Sequence, residues 1–186
     1  MATAAERAST SAKTLVVYYS LTGNTARVAR DIANRTGADL ESLRDRDHGV
    51  GVFAYLKDCF DALKGKAARI APLSHDPAQY DLTVIGTPVW VGRMTPAVRA
   101  YLQQTRGHLG RVAFFVTSGN TDVARLLPAL EAVAQTQAVA AAGFSAPELK
   151  EQGVYEEKLS TLLNELQRER AAPAPPLTTS EHARAT

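Results

Sequence analysis

The stretch VVYYSLTGNTARVARDI, residues 16–32, decides the fold of this chain. An apolar run over residues 15–19 predicts a buried strand, and the apolar spacing after residue 24 predicts a helix. A strand that turns directly into a helix directs unpaired backbone N–H groups and the positive end of the helix dipole to one point. Such a point binds anions, and phosphate is the usual occupant. The connecting turn is therefore predicted to bind a phosphate group.

The turn also carries side chains that suit a phosphate monoester. Gly23 allows the backbone to approach a ligand closely, and the hydroxyls of Ser20, Thr22 and Thr25 can donate hydrogen bonds. The turn has no lysine, so it differs from the phosphate loop of nucleoside triphosphatases, and it lacks the three-glycine spacing of dinucleotide folds. The predicted phosphate-binding residues are Ser20, Leu21, Thr22, Gly23, Asn24 and Thr25.

Length and composition are those of one globular domain. The chain has 186 residues, of which 45% are hydrophobic and 22% charged, and its formal net charge is +2. Its one cysteine, Cys59, excludes an internal disulfide and a cysteine-based metal site, and its four histidines lack metal-ligand spacing. No stretch resembles a signal peptide or a membrane span, so a cytoplasmic protein without membrane insertion is expected. Basic residues are not interleaved with aromatic ones, which argues against nucleic-acid binding.

Strands and helices alternate along the chain, which predicts a parallel sheet with helices on both faces. The predicted strands span residues 14–19, 38–43, 82–86, 111–117 and 138–144. The predicted helices span residues 24–36, 52–64, 95–106, 122–137 and 154–170. Residues 1–13 and 171–186 have the composition of disordered tails, which leaves one domain of residues 14–170.

At residues 16–32 the chain resembles the flavodoxin family, whose phosphate-binding signature can be followed without a mismatch through Val16, Tyr18, Ser20, Gly23, Thr25, Ala29 and Ile32. The resemblance covers residues 14–170 and is closest to short-chain flavodoxins and flavodoxin-like oxidoreductases. It implies a single-domain, three-layer α/β sandwich with a five-stranded parallel sheet of order 2-1-3-4-5, the order of flavodoxin itself. It also implies flavin mononucleotide (FMN) as the cofactor, bound outside the carboxyl ends of the strands.

Two further loops follow strands at the same sheet edge and are predicted to contact the flavin. The first loop contains the only tryptophan, Trp90, which can stack on the isoalloxazine ring and matches the inner stacking residue of the family. The alternative is a tryptophan half buried under the loop. The predicted flavin contacts are Thr87, Pro88, Val89, Trp90, Val91 and Gly92 in the first loop, and Ser118, Gly119, Asn120 and Thr121 in the second.

The chain also departs from the flavodoxin pattern around these loops. The second loop has no aromatic residue, and residues 82–121 contain no Asp or Glu. Val91 stands where flavodoxins often have a glycine whose peptide turns over, and a β-branched residue resists the positive φ that this requires. The same stretch contains Arg93, Arg99, Arg106 and Arg111. Arginines at the rim would favour a reduced, anionic flavin and attract NAD(P)H or an anionic substrate. The alternative is that they lie on the solvated face of a helix.

Three functions remain open at this point, because the fold hosts more than one. The first is an FMN-binding electron-transfer protein that serves a redox partner protein. The second is an FMN-dependent NAD(P)H oxidoreductase that reduces a quinone or similar acceptor, and the third is a regulatory domain that binds a phosphate ligand without flavin. No catalytic side chain is predicted, since the cofactor carries the chemistry. Residues 48–66 are expected to pack as a helix on the sheet, and a homodimer contact through Phe53 and Tyr55 is the alternative.

Overall fold

A computed structural model describes residues 12–45, 67–120 and 122–172. The strands are β1 (Thr14–Tyr18), β2 (Asp39–Ser42), β3 (Leu82–Trp90), β4 (Arg93–Met94), β5 (Arg111–Ser118) and β6 (Ala138–Ser145). The helices are α1 (Asn24–Thr36), α2 (Pro96–Gln104), α3 (Val123–Ala134) and α4 (Gln152–Ala171), with short 3-10 helices at Pro77–Gln79 and Glu148–Lys150. The predicted helix of residues 52–64, the dimer contact through Phe53 and Tyr55, Cys59, Thr121 and most of the predicted tails lie outside the described residues.

The sheet has five parallel strands in the order β2-β1-β3-β5-β6, and the two-residue strand β4 pairs antiparallel with the end of β3. Without β4, the long strands have the chain order 2-1-3-4-5, so the predicted flavodoxin-like α/β fold is confirmed. Alternate residues of β1 point to opposite faces, as the pleat requires. Leu15 and Val17 belong to the core that includes α2 and α3, whereas Val16 and Tyr18 belong to the core that includes α1 and α4.

Helix α1 has the predicted bounds, and glycines mark both of its ends. Gly23 precedes it and Gly37 follows it, and both adopt a left-handed backbone conformation, with φ of 95° and 66°. The N–H of Gly37 donates to the carbonyl of Ala33, which closes the helix. The predicted phosphate-binding turn is therefore held between a fully buried strand and a well-terminated helix.

Strand β3 extends to Trp90, four residues past its predicted end at residue 86. Pro88 and the residues around it were expected to form the loop after this strand, so the predicted end of β3 is wrong, although proline rarely occupies a central strand. In the structure Pro88 lies beyond the part of β3 that pairs with β1, whose last partner is Gly86, while β5 continues alongside to Thr117. The predicted flavin loop is therefore the end of a strand followed by a tight hairpin.

Candidate functional site

A cavity of about 200 Å³ lies where the carboxyl ends of β1, β3 and β5 meet. In the sheet, β2 lies on one side of β1, and β3 and the later strands lie on the other side. Open α/β sheets bind ligands at such a topological switch point. The cavity brings together residues from all three predicted segments. Its lining residues are Leu21, Thr22, Asn24, Pro88, Val89, Trp90, Thr117, Ser118, Gly119 and Ala146.

The start of α1 presents backbone donors at one side of this cavity. The N–H of Gly23 donates to Ser20 Oγ over 3.1 Å, and the N-cap residue supplies no side-chain hydrogen bond to the helix. The N–H groups of Asn24, Thr25 and Ala26 therefore have no partner within the helix. A Cβ atom placed on Gly23 would meet nothing within 4 Å, so space is open beside these donors. This arrangement fits an anion the size of a phosphate group.

The hydroxyl groups of the turn are not equivalent. Thr25 is 1% exposed, and its Oγ1 lies 2.7 Å from Thr117 Oγ1, which joins α1 to β5. Thr22 is exposed and lines the cavity, whereas Ser20 is half-buried and accepts the Gly23 N–H. Of the three predicted donors, only the Thr22 side chain is both exposed and part of the cavity wall.

Trp90 is the last residue of β3 and is buried, with 6% of its surface exposed, so the expectation of a tryptophan on a surface loop is wrong. Its indole contacts the ring of Tyr19 edge to face, with centroids 5.6 Å apart and an interplanar angle of 87°. Tyr19 directly follows β1. A contact between residues this far apart in the chain is not visible in the local sequence. Trp90 nevertheless lines the cavity, so its role in flavin stacking stays a prediction.

The turn after Trp90 has a strained backbone. Val91 and Gly92 have φ of 49° and 71°, and they form the two-residue connection between β3 and β4. Positive φ at both central residues is typical of the type I′ turn, one of the two turn types that match the twist of the strands in a two-residue hairpin. Val91 thus already has the positive φ that a β-branched residue resists, so the structure holds this residue in a strained conformation. Buried Trp90 and Met94 flank the turn and hold it, while 60% of Val91 is exposed.

Some predicted site residues lie outside the cavity wall, namely Ser20, Gly23, Thr25, Thr87, Val91, Gly92 and Asn120. Thr87 is fully buried; its hydroxyl donates to the Pro88 carbonyl over 2.9 Å and accepts the Thr95 N–H over 3.2 Å. It thus connects β3 to the start of α2. Asn120 lines a different cavity of about 530 Å³, bounded by β6, α3 and α4.

Two cavity residues were missed, Thr117 and Ala146. Ala146 directly follows β6, and its N–H donates to the Ser118 carbonyl over 2.8 Å. The rule that ligands bind beyond the carboxyl ends of strands would have identified this position if it had been applied to the last strand. Thr117 lies inside a buried strand, where no sequence signal separates it from a core residue.

A carboxylate lies just beyond Ala146. Glu148 accepts hydrogen bonds from Lys158 Nζ over 2.7 Å and from the Ser145 N–H over 2.8 Å. The bond from Lys158, and secondly that from Ser145, lower the pKa of Glu148 to about 2. Glu148 is therefore ionised and paired at neutral pH, and it anchors the segment that carries Ala146.

The four arginines of residues 82–121 divide into two pairs. Arg106 Nε donates to the Val133 carbonyl over 2.9 Å and Arg111 Nη1 to the Ala172 carbonyl over 3.1 Å, so these two have structural partners. Arg93 and Arg99 form no ion pair with any carboxylate in the described parts of the chain. Burial, and secondly the charge of Arg93, lower the pKa of Arg99. The predicted arginine-rich rim thus reduces to Arg93 and Arg99.

The sequence matches no protein-family profile. Among solved structures, a flavoprotein of Lactobacillus acidophilus NCFM in complex with FMN is 25% identical, with a TM-score of 0.63 over 76% of this chain and 99% of that chain. The apo-form of the flavoprotein from the same organism is 23% identical, with a TM-score of 0.59 over 74% of this chain and 95% of that one. A protein of Bacteroides uniformis ATCC 8492, provisionally described as a flavoprotein, shares the fold at 18% identity and a TM-score of 0.66, over 80% of this chain and 100% of that one.

These similarities confirm the predicted resemblance to flavodoxin-like flavoproteins. Within the described residues, no helix has the length and apolar character that crossing a membrane would require.

Proposed function

We propose that this flavodoxin-like chain binds FMN at the carboxyl edge of its sheet and transfers electrons to or from a redox partner protein. The observation that carries the proposal is that the uncapped start of α1 and the indole of Trp90 meet at one cavity. A structurally similar flavoprotein was solved with FMN, which supports this choice of cofactor. When bound, FMN supplies the redox chemistry, and the protein supplies binding and electrostatics.

In this proposal the free N–H groups of Asn24, Thr25 and Ala26 hold the phosphate, with the Thr22 hydroxyl beside them. Their number and their position at a helix start suit a doubly charged phosphate monoester. Trp90 forms one wall for the isoalloxazine, and the backbone of residues 118–119 forms the opposite side of the cavity. The residues present therefore fit FMN better than riboflavin, which lacks the phosphate.

The size of the cavity bears on how electrons leave the site. Its volume of about 200 Å³ is below the roughly 300–1,000 Å³ of sites that enclose a ligand. One edge of the flavin would thus remain at the protein surface. Leu21 and Val91, which are 40% and 60% exposed, are the exposed large apolar side chains of the described residues. Both lie beside the cavity and offer a surface for a protein partner.

A second function, an FMN-dependent oxidoreductase that takes hydride from NAD(P)H, is favoured by one observation. Arg93 and Arg99 have no acidic partner among the described residues. Two neighbouring guanidinium groups without acidic partners bind phosphates well. A cytoplasmic location remains an expectation from the sequence in either case.

The visible spectrum of the purified protein, recorded before and after anaerobic addition of NADPH, separates these functions. A carrier should show flavin absorption that NADPH alone does not bleach and that a catalytic amount of a flavodoxin reductase does bleach. Rapid bleaching by NADPH alone would instead support the oxidoreductase. A protein that retains no FMN after incubation with excess FMN and gel filtration would contradict both.

A further inference from the structure

We propose that Arg93 and Arg99 form an oxyanion site beside the flavin cavity, which takes the phosphate or carboxylate of a small-molecule electron donor or acceptor. The inference rests on the FMN site of the proposed function and deepens its second form, the oxidoreductase, because it assigns a small anionic reaction partner to the same sheet edge. It adds a binding site that the flavin itself does not occupy.

Arg93 lies beside the cavity in the sheet, and Arg99 lies in helix α2, which directly follows β4 in the chain. Arg93 pairs with Trp90 across the β3–β4 hairpin, and Trp90 lines the cavity. Directly opposed residues of an antiparallel pair are close neighbours on one face. Arg99 lies one turn into α2, where its N–H donates to the carbonyl of Thr95 over 3.0 Å. The side chains of Arg93 and Arg99 are near enough for the charge of Arg93 to lower the pKa of Arg99.

The positive charge of this region is not compensated within the described residues. The first turn of α2 has no acidic residue, although the positive end of a helix favours acids and disfavours cations. Burial and the charge of Arg93 both lower the pKa of Arg99, so its surroundings disfavour the cation. An anion bound between the two side chains would relieve both their mutual repulsion and their repulsion from the helix end.

A missing hydrogen bond points to the same location. The Nε atom of Arg99 is buried and has no hydrogen-bond partner in the described structure. Buried donors of charged groups are normally satisfied, and an exception calls for a role. Arg111 Nε is likewise buried without a partner, but Arg111 still donates through Nη1 to a backbone carbonyl, as Arg106 does through Nε. The guanidinium of Arg99 has no hydrogen-bond partner at all among the described residues. The planar fork of a guanidinium matches the oxygens of a phosphate or carboxylate, which would supply the missing acceptor.

Titration of the FMN-loaded protein with inorganic pyrophosphate, followed by ¹H–¹⁵N NMR, tests this site. FMN occupies the α1 turn, so pyrophosphate is left with the arginine site. The buried Nε–H of Arg99 should shift saturably, and sodium chloride at the same ionic strength should not reproduce the shift. A parallel titration with succinate distinguishes a site that accepts carboxylates from one that is restricted to phosphates.

Two variants make the test specific. Arg93→Gln should weaken pyrophosphate binding about threefold or more, the effect of losing one partly exposed charged contact. Arg30→Gln, at an exposed position of α1, is the matched control and should leave the binding unchanged. An Arg99 signal that does not respond, that responds equally to chloride, or that is equally affected by both variants would overturn the inference.

The outcome is separable from that of the proposed function. If the protein binds no FMN, the proposed function fails. The same pyrophosphate titration of the FMN-free protein then still measures binding at the arginine site. In that case a shift of the Gly23 amide signal indicates pyrophosphate bound at the α1 turn, and a shift of the Arg99 Nε–H signal indicates pyrophosphate bound at the arginine site. A response at Gly23 without one at Arg99 would contradict the arginine site alone.

Discussion

The strained turn at Val91 provides a quantitative test of the hairpin beside the cavity. Val91 has φ of 49°, in the left-handed region that L-residues disfavour. The test compares Val91→Gly with Val91→Ala. Both substitutions remove the two Cγ methyl groups, and the variants differ only in the Cβ atom, at a position that is 60% exposed. The comparison therefore isolates the backbone conformation.

The expected difference follows from two opposing terms. An alanine held in the left-handed region costs roughly 1–2 kcal/mol, whereas glycine adopts it freely. Glycine loses about 0.5–1 kcal/mol through the greater entropy of the unfolded chain. The net prediction is that Val91→Gly is more stable than Val91→Ala by about 0.5–1 kcal/mol. For a domain of this size this raises the melting temperature by about 1–4 °C.

Urea unfolding of the FMN-free protein, followed by circular dichroism, measures the difference. The same pair of substitutions at Gln135, whose φ is 57°, should give the same sign. At Leu21, which is not among the residues with positive φ, the order should reverse, because glycine only adds entropy to the unfolded state. A Val91→Gly variant that is less stable than Val91→Ala would refute the strained hairpin.

Three further predictions concern the flavin and the segment that closes its cavity. Trp90→Ala should weaken FMN binding by about 1–3 kcal/mol, and bound FMN should quench Trp90 fluorescence in the unmodified protein; an unchanged dissociation constant in a folded variant would contradict stacking. Because the folded pKa of Glu148 is about 2, below its ordinary value of 4.5, its ionised form stabilises the protein above about pH 4.5, and this contribution disappears as the pH falls toward 2. Glu148→Gln should therefore flatten the pH dependence of the unfolding free energy over that interval, by on the order of 1 kcal/mol after solvent screening, and an unaltered slope would argue against the Lys158 pairing. Anaerobic reductive titration of the FMN-loaded protein should show little one-electron-reduced flavin, since Arg93 and Arg99 favour the fully reduced anion; strong accumulation of that form would contradict this reasoning.

Helices and strands whose ends or burial are marked in the local sequence were predicted correctly. The bounds of α1 were correct because Gly23 and Gly37 mark positions where the backbone becomes left-handed. The central strands were recognisable because burial on both faces makes them continuously apolar. The parallel order of the sheet followed from the resemblance over residues 16–32 and from the alternation of elements.

The details of the cavity depend on partners that are distant in the chain. Trp90, at the end of β3, packs edge to face on Tyr19, which follows β1 far earlier in the chain, and both belong to the same core. The hydroxyl of Thr25 contacts Thr117, which is 92 positions away. Val91 adopts a positive φ because the register of β3 with β4 leaves room for only two residues in the turn. Residue patterns contain no information on such pairings, so these features could not be predicted locally.

Parallel titrations with FMN and riboflavin, in the unmodified protein and in Gly23→Val, test the central claim most directly. The phosphate should gain at least two charge-assisted hydrogen bonds from the start of α1, so riboflavin should bind about 100-fold more weakly than FMN. Gly23→Val forces a β-branched residue to φ of 95° and fills the open space beside the donors, so it should remove this preference. Its fold is checked by circular dichroism. Equal affinity for FMN and riboflavin in the unmodified protein would contradict a phosphate site in the α1 turn.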